Sequence, residues 1–239
     1  MRIGLLIPSS NTTMETEFTR VIYKNELEFT LHIARLSLTS VDPTSLYNMK
    51  KELKPELQKL KDADIDFVIY GCTSGSLLEG KNFSDQIIRE INEYLGNDKR
   101  SSTTSQSVLD YLKILNVNKI VVITPYIDKI NVLEKDFLES NGYDVLIIKG
   151  MQLQQNLDIG RITSIELLQF ITKSLEKTIG YECLFISCTN LPTFRILSQL
   201  EDKLKIPVLS SNSASFYEIL KQNSKYKQIL ENFNSILGV

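Results

Sequence analysis

Short apolar runs recur along the chain, at residues 3–7, 65–70, 119–124, 143–148, 183–187 and 206–209. Each is of strand length and rich in Val, Ile or aromatic residues. Between them, apolar residues return every three or four positions: Leu46, Met49, Leu53, Leu57 and Leu60 in one stretch, Ile165, Leu168, Ile171, Leu175 and Ile179 in another. That is the spacing of one face of a helix. In residues 28–36 the period changes to two, with Phe29, Leu31 and Ile33 alternating with polar neighbours as in a half-buried strand. Strand and helix alternating throughout predict an α/β chain whose parallel sheets are covered by helices on both faces. In that arrangement ligands sit at the carboxyl ends of the strands.

The pattern also repeats. Ile3-Gly4-Leu5-Leu6-Ile7-Pro8 resembles Ile120-Val121-Val122-Ile123-Thr124-Pro125, each a strand ending in proline before a helix. Cys72 follows Pro8 by 64 residues and Cys188 follows Pro125 by 63, and each cysteine ends a strand and precedes a threonine. Two matching halves predict two pseudo-symmetric lobes, each a parallel four-stranded sheet flanked by helices, with the cysteines facing one another across a cleft. The hydroxyl-rich segments 101–107 and 210–215 extend the parallel and mark crossings between lobes. The first lobe is expected over residues 1–104, completed by C-terminal helices within 212–239, and the second over 105–211.

Composition narrows the function classes. With 239 residues, 42% hydrophobic and 23% charged, the chain has material for a large core, which excludes disordered and coiled-coil classes. A net charge of -2 without a long basic run argues against nucleic acid as a partner. The apolar runs fall far short of the roughly 20 residues that span a bilayer, and none makes a signal peptide, so no membrane association is expected. Three cysteines without CxxC spacing argue against a disulfide framework and a zinc site, and they suit a reducing cytoplasm. The sequons at Asn11 and Asn82 then carry no glycan. His32 is the single histidine, read as structural in its strand, and a multi-histidine metal centre is impossible.

A cysteine at a strand end before a helix meets free backbone N–H groups and the positive end of the helix dipole, both of which favour thiolate. Cys72 and Cys188 are therefore the candidate reactive pair, whereas Cys183, inside a strand, reads as a small buried hydrophobe. After the first strand, Thr12 and Glu15 match a capping box. Ser9, Ser10 and Asn11 exceed what capping requires and, with helix N–H groups, make a pocket for a carboxylate. Gly71, Gly75 and Gly80 fit neither a dinucleotide nor a P-loop fingerprint, and serve tight turns and close ligand approach.

Pro8-Ser9-Ser10-Asn11-Thr12-Thr13-Met14-Glu15, Gly71-Cys72-Thr73-Ser74-Gly75-Ser76, Thr124-Pro125-Tyr126 and Ser187-Cys188-Thr189-Asn190 occur in this order over nearly the whole chain. Together they resemble the maleate cis-trans isomerase and arylmalonate decarboxylase branch of the aspartate/glutamate racemase superfamily. The resemblance implies two α/β lobes with the active site between them. It implies Cys72 as nucleophile and Cys188 as the opposed proton donor and acceptor. Asn11, Tyr126 and Asn156 are then implied as carboxylate ligands, with Ser10, Thr73, Ser74 and Thr189 beside them. Arylmalonate decarboxylases lack the first cysteine, so Cys72 favours the isomerase or racemase branches, and a pocket for two carboxylates favours isomerisation of maleate to fumarate or of a related dicarboxylate, without metal or cofactor. A Cys/Cys racemase of aspartate, glutamate or hydantoins is the alternative, and a non-catalytic small-molecule binding protein stands behind it. A homodimer is the expected assembly.

Overall fold

The computed structural model describes residues 1–96, 100–231 and 233–238. Of the expected lobe limits, residue 239 lies outside the described residues, as do 97–99 and 232 within the lobes. The first half of the chain runs β1 (Arg2–Pro8), α1 (Met14–Lys24), β2 (Thr30–Leu36), α2 (Pro43–Lys50), α3 (Leu53–Asp62), β3 (Phe67–Tyr70), α4 (Thr73–Leu77), α5 (Phe83–Leu95), β4 (Arg100–Thr103) and α6 (Thr104–Leu115). The second repeats the plan with β5 (Lys119–Thr124), α7 (Asp128–Ser140), β6 (Asp144–Gly150), α8 (Asn156–Gly160), α9 (Ser164–Leu175), β7 (Cys183–Ile186), α10 (Phe194–Leu204), β8 (Val208–Ser210) and α11 (Ser211–Lys221). A 3-10 turn at Ser224–Tyr226 and the short α12 (Lys227–Glu231) and α13 (Phe233–Leu237) follow.

Each half forms one four-stranded sheet, ordered β2-β1-β3-β4 and β6-β5-β7-β8. Every pairing within the two sheets is parallel. The central strands carry nearly continuous apolar sequence because both faces are covered: Ile3, Leu5, Leu6 and Ile7, like Ile120, Val121, Val122 and Ile123, are wholly buried. The lobes join through α6 and α11, the helices that follow β4 and β8, which pack on one another. Tyr111 of α6 stacks on Tyr217 of α11 with ring centroids 4.5 Å apart. Among the described residues no helix is long and apolar enough to cross a membrane.

Three local readings need correction. The apolar spacing from Leu46 to Leu60 belongs to two helices, because α2 closes in a tight turn and Pro55 lies in the first turn of α3. There a proline is tolerated, whereas in one unbroken helix it would clash with the preceding turn. In β2 the buried residues are Ala34 and Leu36 while Ile33 is exposed, since an edge strand gives its outward face to solvent. In α9 the buried face is Leu167, Ile171 and Leu175, leaving Ile165 at 69% exposure, and Ile179, at 87%, lies beyond the helix end.

The segments that continue β2 and β6 meet over the cleft. Val41 N–H donates to Gln154 O at 2.8 Å and Asn156 N–H to Thr39 O at 2.9 Å. Ser40 and Gln155 form an antiparallel bridge between them.

Candidate active site

Strand ends and the loops beyond them deliver every candidate residue to the junction of the lobes. Cys72, one residue past Gly71 at the end of β3, is the N-cap of α4, and its Sγ accepts from Gly75 N–H at 3.3 Å. The glycines around it are steric necessities. A Cβ on Gly71 would lie 2.6 Å from Met14 Sδ, and one on Gly75 would lie 2.7 Å from Met49 Cε and 3.0 Å from Cys72 Sγ. Cys188 follows β7 with a backbone φ of +100°, a region that L-residues other than glycine avoid. Strain of this kind persists only where the surroundings fix it, and it gathers at functional sites.

Ser211 supplies the fixing. Its wholly buried Oγ accepts from Cys188 N–H at 2.9 Å and from Thr73 Oγ1 at 2.8 Å, so one hydroxyl ties the two cysteine loops together. Thr189 adds a second tie: it accepts from Asn11 Nδ2 at 3.0 Å and donates to Gly71 O at 3.0 Å. Tyr126 hydrogen-bonds Cys188 and lies within charge range of both sulfurs. The ties through Ser211 and Thr189 hold the Cys72 and Cys188 loops side by side. Both are nearly closed off from solvent.

The electrostatics reverse one expectation from the sequence. Burial pushes the Cys72 thiol up to about 11, outweighing the Gly75 N–H and Ser74 that favour its thiolate. Burial likewise lifts Cys188 to about 12 against the pull of Tyr126 and the Asn190 N–H. Both therefore rest as thiols at neutral pH, because losing hydration costs the anion more than these donors return.

Asn11 is wholly buried, and its Oδ1 accepts from Thr13 N–H and Met14 N–H, both at 3.0 Å. It therefore caps α1 itself. The expected capping box of Thr12 and Glu15 does not form. Thr12 N–H donates to Asn190 Oδ1 at 2.8 Å, and Glu15 pairs with Arg35 at 2.6 Å. Asn156 Nδ2 donates to Ser10 Oγ at 2.8 Å, and Ser10 in turn donates to Leu38 O. In Asn11 and Asn156 each amide keeps one further N–H for a ligand. Ser74 lies 3.8 Å from Cys72 Sγ. Cys183 is buried inside β7, away from this cluster, and His32 sits on β2 against Thr30 Oγ1 at 3.1 Å.

Several participants escape a reading of the sequence. Asn190 bridges the lobes by accepting from Thr12 N–H at Oδ1 and from Thr13 Oγ1 at its carbonyl, both at 2.8 Å, while its Nδ2 donates within the second lobe to Asn156 O at 2.6 Å. Buried Glu17 accepts from Thr193 N–H, Phe194 N–H and Asn212 Nδ2, while Asn212 also donates to Thr189 O. Ser211 stood in a serine-rich segment whose composition did not single it out.

Known proteins share this plan. A maleate isomerase from Geobacillus stearothermophilus is 26% identical, aligned over 99% of this chain and 97% of its own. The structure of the maleate isomerase Iso from Pseudomonas putida S16 superposes with a TM-score of 0.88 at 23% identity, covering 93% of this chain and 92% of that one. A Nocardia farcinica maleate cis-trans isomerase, a cysteine-to-serine mutant with a covalently bound succinylcysteine intermediate, gives 0.86 at 24% identity over 92% and 91% of the two chains. The likenesses bear out the two-lobed α/β fold. The family model described as arylmalonate decarboxylase matches residues 3–230, and the chain belongs to that family.

Proposed function

We propose that this chain isomerises maleate to fumarate, or acts on a closely related dicarboxylate, with Cys72 as nucleophile and Cys188 as acid and base. The observation that carries the reading is the pair of strand-end cysteines fixed on one buried site by Ser211 and Tyr126. Rotation about a carbon–carbon double bond is blocked, and covalent addition removes the block. Cys72 gives up its proton to solvent and adds as thiolate to one alkene carbon, while the Cys188 thiol protonates the other. The succinyl thioether turns about its new single bond. Cys188 thiolate then takes the proton back as the C–S bond breaks, releasing fumarate and regenerating Cys72 thiolate.

The groups around the sulfurs suit two carboxylates. Asn11 and Asn156 each offer a spare amide N–H, with Ser10, Thr73, Ser74 and Thr189 alongside, and such neutral donors also stabilise the enediolate charge that builds during addition. Tyr126 serves as donor to Cys188 and steadies the thiolate left when that thiol spends its proton, at a position that also suits it to meet a substrate carboxylate. The chemistry needs no metal or organic cofactor. Three free cysteines suit a reducing compartment such as the cytoplasm.

The test is a quenched incubation of Cys188→Ala with maleate, followed by peptide mass spectrometry, beside an NMR assay of the wild-type chain in heavy water. The reading expects fumarate from the wild type and a Cys72 peptide heavier by the mass of maleic acid from the variant. Rapid α-deuteration of aspartate or glutamate, with maleate inert and Cys72 unmodified, would establish the racemase instead.

A further inference from the structure

The symmetry of the lobes pairs two buried acids. Glu17 on α1 stands nine residues beyond Pro8, and Glu134 on α7 stands nine beyond Pro125. Glu17 is 6% exposed and Glu134 1%. Their partners differ completely. Glu17 accepts three hydrogen bonds, two of them from the first N–H groups around the start of α10. Neither oxygen of Glu134 completes a hydrogen bond among the described residues. The Ser187 hydroxyl that faces it completes none either, although the two are close enough for Ser187 to favour the carboxylate.

The sequence explains the difference. After Cys188 the chain runs to Thr193 before α10 begins, so the opening N–H groups of that helix are free for Glu17. After Cys72 the helix begins at once, and the Gly75 N–H is spent on Sγ. Asn212, two residues past the N-cap of α11, reaches Glu17. Ser105, two past the N-cap of α6, is too short and is committed to Ser76 and Thr73 O.

An unpartnered buried carboxyl is costly, so its presence demands an account. The reach of Glu134 supplies one. It faces Ser187, the residue directly before Cys188, and its charge opposes ionisation of Cys188 and of Tyr126, the donor to Cys188, whereas the Cys72 thiol answers to burial, the Gly75 N–H and Ser74. Of the elements packed against α7, α4 carries no ionisable side chain, and the ionisable groups of β6, Asp144 and Lys149, are exposed. Cys188 and Tyr126 are therefore the groups to which Glu134 couples.

We propose that Glu134 is a positioning residue that makes the two cysteines unequal: from behind Ser187, its carboxyl holds Cys188 in the thiol form and leaves Cys72 as the sulfur that ionises. The inference rests on the roles given above to the two cysteines. Opposed thiols in a near-symmetric cleft compete for one negative charge. An anion beside one of them decides the competition. Burial lifts Glu134 to about 7, so near neutrality it is ionised in a substantial fraction of molecules.

The test follows alkylation of each cysteine by iodoacetamide across a pH series, without substrate, with Cys72 and Cys188 peptides quantified separately. Glu134→Gln keeps the shape and removes the charge. It should lower the Cys188 midpoint by about one pH unit, the size expected of one charge acting over ~10 Å at an effective dielectric near ~20, and leave Cys72 in place. The alkaline limb of the activity profile should move down with it. A Cys188 midpoint that stays put, or midpoints that move together, would overturn the proposal. Glu134→Met fills similar volume with no polar group and carries the same expectation if the glutamine disturbs folding. Because alkylation needs no turnover, an inert response to maleate would count against the isomerase reading alone.

Discussion

Ser211→Ala removes one oxygen atom from a wholly buried position and strands two donors at once. The Thr73 hydroxyl can rotate towards another acceptor. The Cys188 N–H belongs to the backbone, held at a strained φ of +100°, so it can find a new partner only if the whole cysteine loop moves. An unsatisfied buried donor costs about 1–3 kcal/mol, so the variant should lose roughly 2–4 kcal/mol of folding stability. Urea unfolding with an unchanged m-value measures that loss directly. Catalysis should suffer as well, since Cys188 Sγ is held through this N–H and a displacement of ~1 Å costs about 100-fold. A cycle with Thr73→Val sharpens the argument. In the Ser211→Ala background that second change removes an orphaned hydroxyl, so its cost should shrink or change sign, giving a coupling above about 0.5 kcal/mol. A single variant within ~0.5 kcal/mol of wild type, or a strictly additive cycle, would refute the idea that Ser211 is the shared anchor.

Other expectations follow from the same geometry. Cys72→Ser and Cys188→Ser should each lower kcat by at least ~100-fold in a maleate assay and combine non-additively, while Cys183→Ala leaves kcat near wild type. Stability should fall as pH rises from about 4.5 to about 7, because folded Glu17 and Glu134 hold protons there that the unfolded chain has released. Each acid contributes roughly 3 kcal/mol to that decline, and urea midpoints across the window measure it. Glu134→Gln should flatten the slope, leaving the shares of Glu17 and of Glu218, which burial also raises, and a midpoint that climbs through the window would contradict the burial argument. Exposed acids held low by their partners, such as Glu28 and Glu182, act below this window. Gly150→Ala should destabilise by about 1–3 kcal/mol and depress kcat, since its Cβ would drive into the Tyr126 carbonyl and the Asn131 amide; a thermal melt matching wild type would contradict this.

The strand-proline repeat and the even spacing of Cys72 and Cys188 made the two-sheet plan legible, because buried parallel strands announce themselves as apolar runs. The break between α2 and α3 had its signal in Pro55, masked by an unbroken three-and-four spacing. The cap of α1 fell to Asn11 because an asparagine amide reaches two N–H groups from one oxygen, an option that a Thr-x-x-Glu pattern hides. Glu17 and Glu134 recur at equal distances from their prolines. Burial of an acid, however, depends on which partners a distant helix start supplies, and residue spacing does not encode that. Ser211 was hidden among four serines, since only the fold decides which hydroxyl faces the cleft.

The antiparallel seam between residues 39–41 and 154–156 is what a twofold axis makes of two otherwise parallel sheets: equivalent strand extensions, related by the axis, must run against each other. Asn156 is a tooth of that seam by its backbone and a candidate substrate ligand by its side chain, and Ser10 beneath it is fastened to Leu38. Any opening of the seam would therefore also displace Asn156 and the Ser10 hydroxyl bound to it, two of the candidate ligands. One residue thus serves the joint between the sheets and the candidate site at once, so a substitution at Asn156 should be read in stability as well as in substrate affinity.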